Sequence, residues 1–594
     1  MSFYPVSSSV VVPGVQFPGT DPFVVAVPVS ALAWPVSERS TGDGRSAMVA
    51  PGAGKINSGD LVVWCTVVAV APAVVRRDGR VQADGRPCDH ARLGVLEEQL
   101  EVMTGPGTVD RIAAGVRPGG KVKGAARREM SVAFALRAVL LMTLMPTADA
   151  RAVMAALLGD LVRVPWRRVH AVPSGTVFST WRAAIGPDPV LELQRRVLAA
   201  VAAEHRGLPA GIDVGGGLRV GSIDGTVTRM SDTGANRAEF ATAGGAGTGY
   251  PQIRHLHLSD AFTRGVFAAP TGPAGGDKAE AEQALLDRAL IEYPDLFTKD
   301  QLWVMDRNFP GCPRIAAMLA TGTHVLIRLK SDLRLERTGD HLSDGSYQAR
   351  LSGGGVTLTL RVIEYLVTLA GTTTPELFCL VTDLLDHVTH PADALAAAYR
   401  WRWDGSETAL REVKSTLHGA GPGTGPMLRS HTPDLVRQEH AAWITATELV
   451  HALTRAAATT ATPFTRGPRA GQPVTARDLS FTTARRAAVT AVTATPAGLP
   501  APARTSAHQT ALHEIATTRV TVDRHRHRTR KTKSRQAFGH ATANAATVTA
   551  PAVIHVCGTP PAPTATITDL RPATPASPAP PVDRPPDEIT AHAA

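Results

Sequence analysis

Between residues 89 and 206 apolar residues recur at helical spacing. Leu93, Leu96 and Leu100 mark one helix, 130–145 a second and 150–162 a third. Pro146 closes the second, and Thr147 or Asp149 stands where the third needs an N-cap. The stretch 173–186 followed by 187–204 predicts a short helix-turn-helix pair. From Gly215 the period changes. Short apolar runs at 218–228, 251–258, 302–305 and 324–330 read as strands, and 278–293 and 313–321 as helices between them. Between 331 and 389 the pattern alternates with period two. Runs rich in β-branched residues, at 356–365 and 377–382, predict antiparallel strands. Helical spacing returns at 391–402 and 407–417. After Thr432-Pro433, the residues Val436, Trp443, Val450 and Leu453 share one helix face.

These shifts divide the chain into six parts. A low-complexity leader (1–85), with one candidate strand near 61–70, precedes a helical domain (86–206) that suits DNA binding or plain packing equally well. An α/β domain in two parts (207–330 and 391–458) is interrupted by a β-strand insertion (331–390). The remainder (459–594) is an Ala/Thr/Pro-rich tail. It has a basic run at 524–535, and eleven prolines in 551–594 predict disorder there. At 594 residues the chain exceeds what one core supports.

Charge narrows the function. The chain carries a net +10 and has a pI near 9.7, which favours a polyanionic partner. Seven Lys/Arg and no acid fall within 524–535, so the rest is only about +3. We read that run as a non-specific phosphate binder in preference to a solvated tail, because each phosphate contact releases counterions. Five scattered cysteines (Cys65, Cys88, Cys312, Cys379, Cys557) form no C-x-x-C pair, which argues against a zinc ribbon or a disulfide framework and fits a reducing cytosol. The apolar stretches 61–75 and 131–145 are short of the roughly 20 residues a membrane span needs, and they contain Pro72 and Arg137. No basic segment opens a secretory signal. The expectation is a soluble, cytoplasmic, nucleoid-associated protein.

Three carboxylates then stand out. Asp224 interrupts the first strand, Asp306 follows a buried one, and Glu407 opens a helix crowded with cations. Carboxylates from scattered positions suit a two-metal phosphoryl-transfer site, since Mg²⁺ takes oxygen ligands and few from the protein. Each has a plainer reading. Asp224 with Gly225 suits a turn, Asp306 an Asx-turn, and the sequence from Asp404 to Glu407 a capping box. Arg411 and Lys414 lie four and seven residues after Glu407, close to its helix face. They are either intrahelical partners or phosphate ligands. Asp213, Asp232 and Asp260 are competing acids. Tyr250 stands where a P-loop lysine belongs after 244–249, which excludes that motif. His255 and His257 alternate on a strand, a weak signal for metal.

Tyr399, Arg402, Glu407 and Lys414 together closely resemble the Y-R-E-K signature of bacterial DDE transposases of the insertion-sequence-4 family. The segments around Asp224 and Asp306 resemble that family's first and second aspartate motifs. The separations of 82 and 101 residues leave room for a β-insertion before the glutamate. The resemblance covers about residues 89–455. It implies an RNase H-like catalytic domain interrupted by an antiparallel β-insertion, after a small helical N-terminal domain and with disordered tails. It implies metal-dependent cleavage at transposon ends and strand transfer into target DNA. Asp224, Asp306 and Glu407 would hold two Mg²⁺, with Mn²⁺ as a substitute, and Tyr399, Arg402, Arg411 and Lys414 would bind DNA. The implied partners are double-stranded DNA, as terminal inverted repeats and target, and a second copy in a homodimeric synaptic complex. A transposase-derived DNA-binding protein without catalysis, or an RNase H-like nuclease that only hydrolyses, are the alternatives. Two departures stand against the family pattern. Four residues, rather than three, separate Arg402 from Glu407. No Trp lies in the insertion to stack on a flipped base, which leaves Tyr347 or Tyr365 for that contact, or no contact at all.

Overall fold

The computed structural model describes residues 73–75, 81–83, 91–119, 130–159, 172–208, 210–242, 249–275, 281–330, 333–368, 375–402, 405, 412, 427–467, 469–494, 501–520, 526–527, 548–549 and 553–558. The chain separates into Met1–Val67 and Val68–Ala594, and every described residue lies in the second unit. The leader's candidate strand at 61–70 and the helix expected at 407–417 therefore fall outside the described residues, apart from Glu412. So do Glu407, Arg411 and Lys414.

After a small hairpin, β1 (Ala73–Val75) with β2 (Val81–Ala83), six helices follow: α1 (Val95–Thr104), α2 (Thr108–Gly115), α3 (Val132–Leu144), α4 (Ala150–Leu158), α5 (Gly175–Ile185) and α6 (Asp188–Gly207). Ser131, Asp149 and Ser174 accept backbone N–H groups at the starts of α3, α4 and α5, so Asp149, not Thr147, is the cap. Helix α3 is buried nearly all round, as its apolar sequence requires. Its one cation, Arg137, is fully buried. It donates to Glu97 at 2.5–3.0 Å and to Asp110 at 2.9–3.0 Å. No described helix is long and apolar enough to cross a membrane.

The α/β part is β3 (Arg219–Met230), α7 (Gly234–Phe240), β4 (Gln252–Asp260), β5 (Val266–Ala268), β6 (Thr271–Pro273), α8 (Glu282–Glu292), β7 (Gln301–Met305), α9 (Cys312–Ala320) and β8 (His324–Arg328). Then come β9 (Glu336–Arg337), β10 (Tyr347–Gly353), β11 (Val356–Thr368), β12 (Glu376–Thr382) and α10 (Ala392–Arg402). One sheet runs β5-β4-β3-β7-β8-β12-β11-β10-β9. Strands β3, β7 and β8 are parallel neighbours, while β4 and β5 are antiparallel. The expected insertion strands extend this same sheet, because β12 pairs with β8. Alternating side chains feed two cores. Ile223, Trp303, Met305 and Ile327 pack with Leu285 of α8 and Ile315 of α9, whereas Val220, Val304 and Leu326 pack with Leu395 and Tyr399 of α10.

The last part departs from expectation. β13 (Met427–Leu428) joins β3, and α11 (Pro433–Thr460), α12 (Phe481–Ala494) and α13 (Ala501–Thr517) follow. Residues 481–517, expected to begin a tail, place Phe481, Ala484, Ala488, Leu512 and Ile515 in the core shared by α1, α3 and α11. Ala is the best helix former, and a face of small residues packs closely without the large apolar groups that announce a core. Further on, β14 (Arg526–His527) pairs with β15 (Val548–Thr549), and β16 (Val553–Val556) pairs with β11, so part of the segment expected to be disordered also joins the large sheet. Buried Arg182 of α5 joins the helical layer to α11 by donating to Gln438 at 2.7 Å and to Ser430 at 2.9 Å.

Arg137→Met removes the cation but leaves Glu97 buried. Urea unfolding should show a loss of about 3–5 kcal/mol, and a loss below about 1 kcal/mol would mean the pair is not what orders α3.

A second expectation concerns pH. His324 Nδ1 lies 2.6 Å from Asp383 Oδ2, and that hydrogen bond raises the imidazole above its ordinary range. A raised folded-state pKa gives stability that is full below the unfolded value and fades as pH rises through the folded one. The stability gap between the parent chain and His324→Gln should therefore be wider near pH 6 than near pH 9. A gap that does not change with pH removes the charged pair from the account.

Candidate active site

Parallel pairing sets Ile223, Met305 and Ile327 side by side on β3, β7 and β8. The next residue on each chain is Asp224, Asp306 and Arg328. All three follow the alternation onto the α10 face, so two acids and a cation form one row along the sheet. Asp224 Oδ1 accepts the Gly225 N–H at 3.0 Å, and Asp306 Oδ1 accepts the Asn308 N–H at 2.7 Å. The local turn bonds of the plain readings are thus present, and they coexist with the row.

Arg402, at the end of α10, reaches down to this row. Its Nη1 donates to Asp224 Oδ2 at 3.3 Å, and its guanidinium lies 5.7 Å from the Tyr399 ring. Burial opposes the charge on Arg402, but Tyr399, Asp224 and Asp306 more than offset it and raise its pKa. Tyr399 is itself raised, mainly by burial. Its ring packs 6.2 Å from Phe378, which stacks on Tyr365 at 5.2 Å and is covered on its other side by Arg328 at 3.7 Å. Tyr365 is therefore enclosed and cannot receive a base. Tyr347 is likewise engaged, under Arg337 at 4.7 Å and against His341 at 5.4 Å, and burial pushes its phenol up to about 12. The base-stacking role allowed to either tyrosine has no support in these contacts.

The other acids fall away. Asp232 is exposed and paired with Arg237, Asp260 accepts the N–H groups of Phe262 and Thr263, and Asp213 accepts that of Gly215. Glu282 is a further carboxylate near the row. Its Cδ would lie 2.4 Å from a Cβ built on Gly225, so glycine there makes its room. Burial, then Asp306, raises its pKa.

Gly405 and Glu412, on either side of Glu407, both lie in π-helical turns. Such turns accommodate one residue more than an α-turn, and that bears directly on the long spacing between Arg402 and Glu407. A Cβ at Gly405 would meet Ala261 Cα at 2.6 Å and Ser222 Oγ at 3.1 Å, so Gly405 itself lies against β3 and the end of β4. Glu412 accepts from Arg264 Nη1 at 2.8 Å and faces His451 Nε2 at 3.4 Å, while His451 Nδ1 lies 3.2 Å from Glu448. Burial works against the charge on His451, yet Glu448 and Glu412 raise its pKa overall. Arg328, Glu412 and His451 escaped the sequence reading. Only the strand register could have pointed to Arg328.

Residues 215–420 match the family model described as a transposase DDE domain. That span holds Asp224, Asp306, Tyr399, Arg402, Glu407, Arg411 and Lys414. Among solved structures, the chain is similar to the cryo-EM structure of a piggyBac transposase synaptic complex with hairpin DNA, at 12% identity over 72% of this chain and 85% of that one, with a TM-score of 0.38. No curated protein matches the chain.

Gly405→Ala should push the segment off Ala261, because the clash is with backbone that cannot swing aside. Overpacking of this kind costs about 1–3 kcal/mol, and DNA cleavage should fall with it. Parent-like melting and cleavage would show that Gly405 does not lie against β4.

Proposed function

We propose that this chain is a DNA transposase that cleaves at the ends of a mobile element and joins the freed strand to target DNA. The observation that carries the reading is the row of Asp224 and Asp306 beneath Arg402, inside a span that matches a transposase DDE domain. The strand order β5-β4-β3-β7-β8, with three antiparallel strands followed by two parallel ones, supports an RNase H-like reading of the catalytic core.

Two partly buried carboxylates at one level present hard oxygen donors, and that donor chemistry fits Mg²⁺ or Mn²⁺. Among the described residues no three His, Cys, Asp or Glu side chains gather into a metal site. Glu407, outside those residues, is the third ligand in this reading. Two such ions, when bound, supply activation of the attacking oxygen and neutralisation of charge on the departing 3′ oxygen. The chain's own groups do the rest. Asp224, Asp306 and Glu407 hold the ions, and Arg402 stays charged beside them to meet a phosphate. Tyr399 supports the guanidinium. Arg328, from the same row, offers a second cation, with Arg411 and Lys414 further along the chain. The basic run 524–535 adds sequence-independent attraction to the backbone of DNA. Joining two ends calls for at least two copies of the chain.

Asp224→Ala, Asp306→Ala and Glu407→Ala should each abolish strand cleavage of DNA carrying the element's ends, while DNA binding, spread over many cations, largely persists. A variant that cleaves near the parent rate in Mg²⁺ removes that residue from the site. Lys414→Ala should leave melting unchanged and cost about 1.5–3 kcal/mol in DNA-dependent cleavage. A lowered melting point with normal cleavage would make it an intrahelical partner only. Joined products, as against nicks alone, separate a transposase from a nuclease of the same fold.

A further inference from the structure

The ring of Trp401, one residue before Arg402, is covered by a cation from the late part of the chain. The Arg477 guanidinium lies 4.0 Å from the centre of that ring. Phe262, in the turn after β4, packs on the same ring at 5.6 Å, tilted by 55°, and stands 5.8 Å from Arg477. A cation over an aromatic face is attracted by the ring's quadrupole, and tryptophan offers the strongest such face. The backbone of Arg477 is itself fixed. It belongs to a short 3₁₀ turn (Ala476–Asp478) closed by a capping box, in which Asp478 accepts the Thr475 N–H at 2.8 Å and the Thr475 hydroxyl at 2.9 Å. Asp478 is buried, accepts from Arg469 Nη2 at 3.0 Å, and takes the Val520 N–H on its carbonyl at 2.7 Å. The turn is thus tied to the late helices, and it lies beyond the span 215–420 that matches the transposase domain.

Arg402 stands where such a hold matters. It ends α10, and its Nη1 meets Asp224 Oδ2 at 3.3 Å, long for a charge-assisted bond. The last carbonyls of a helix have no partner within it, so the final turn frays first. Leu395 and Tyr399 hold the preceding turns in the core below the sheet's α10 face. Successive helical residues point about 100° apart, so pinning the Trp401 ring also fixes the direction in which Arg402 leaves the helix. We infer that Arg477 is a positioning residue, which sets Arg402 over the acid row through the Trp401 ring. This rests on the reading of Arg402 as a phosphate-binding cation. Arg477 then serves catalysis without touching the reacting atoms.

Arg477→Gln and Arg477→Lys test it in the full chain, on a duplex carrying the element's ends. Lysine keeps a cation for the ring, and glutamine does not. Cleavage kcat should fall about 2- to 30-fold in Arg477→Gln and recover most of the way in Arg477→Lys, with the DNA KM and the melting temperature unchanged in both. In a Trp401→Leu background, Arg477→Gln should cost nothing further, because the ring it acts through is gone. Parent-like kcat in Arg477→Gln, or an equal loss in both variants, overturns the inference. So does a raised KM at unchanged kcat, which would make Arg477 a DNA contact. Should Arg477→Gln melt early, Trp401→Phe and Trp401→Leu take its place. Phenylalanine keeps a face for the cation, so kcat should be lower in the leucine variant, and equal values overturn the inference. Arg402→Gln separates the two levels. If it cleaves like the parent, the reading of Arg402 fails and takes the inference with it. If it loses cleavage while Arg477→Gln does not, only the inference fails.

Discussion

Two carboxylates at one level of neighbouring parallel strands cannot move apart without breaking the sheet that carries them. Hydrogen bonding fixes β3 against β7, so the repulsion between Asp224 and Asp306 must be met by positive charge brought to them. Arg402 brings it, and much of the local structure serves to deliver that guanidinium. Helix α10 must lie on the face where Val220, Val304 and Leu326 are exposed to it, and Leu395 and Tyr399 pack there. Phe378 from β12 supports Tyr399, and β12 is in place because it pairs with β8. The strands expected as an insertion thus act as a buttress for the helix that meets the acids.

Much of this was legible in the sequence. Period-two and period-3.6 patterns located the elements of the α/β part, and an acid at the end of an apolar run flagged Asp306. What the pattern could not supply was register. The strand at 324–330 was readable, but only the pairing Met305↔Ile327 places Arg328 beside Asp306. The same gap hid the use of the aromatics. Tyr365 looked available for a base because a tyrosine in a strand can face either way, and it is instead closed off by Phe378. Residues 481–517 were missed for another reason. Their buried face is largely alanine, which contributes little apolar area per residue and so leaves composition looking like a linker.

The helices of that late segment also bear on the site. Phe481 packs against His451 at 4.9 Å, and His451 faces Glu412. The carboxylate of Glu412 is thus shared between Arg264, from the turn after β4, and a histidine on α11 whose own partners keep it basic. Burial of so many ionisable groups is costly unless each is paired, and here acids and bases alternate from Arg264 to Glu448. The cost of separating them resists any shift of the segment that holds Glu412.

In sequence, Glu407 falls between two such fixed points. On one side Gly405 rests against Ala261 and Ser222, with no Cβ to hold it away. On the other Glu412 is tied to the sheet's turn and to α11. An additional residue between Arg402 and Glu407 would rotate an ordinary α-helix by about 100° and swing a carboxylate off the acid row. A π-helical turn takes up the extra residue locally, so the remainder of the helix keeps its phase. Gly405 and Glu412 are each in a π-helical turn and each anchored, so the described positions on either side of Glu407 in sequence are held to the sheet and to α11.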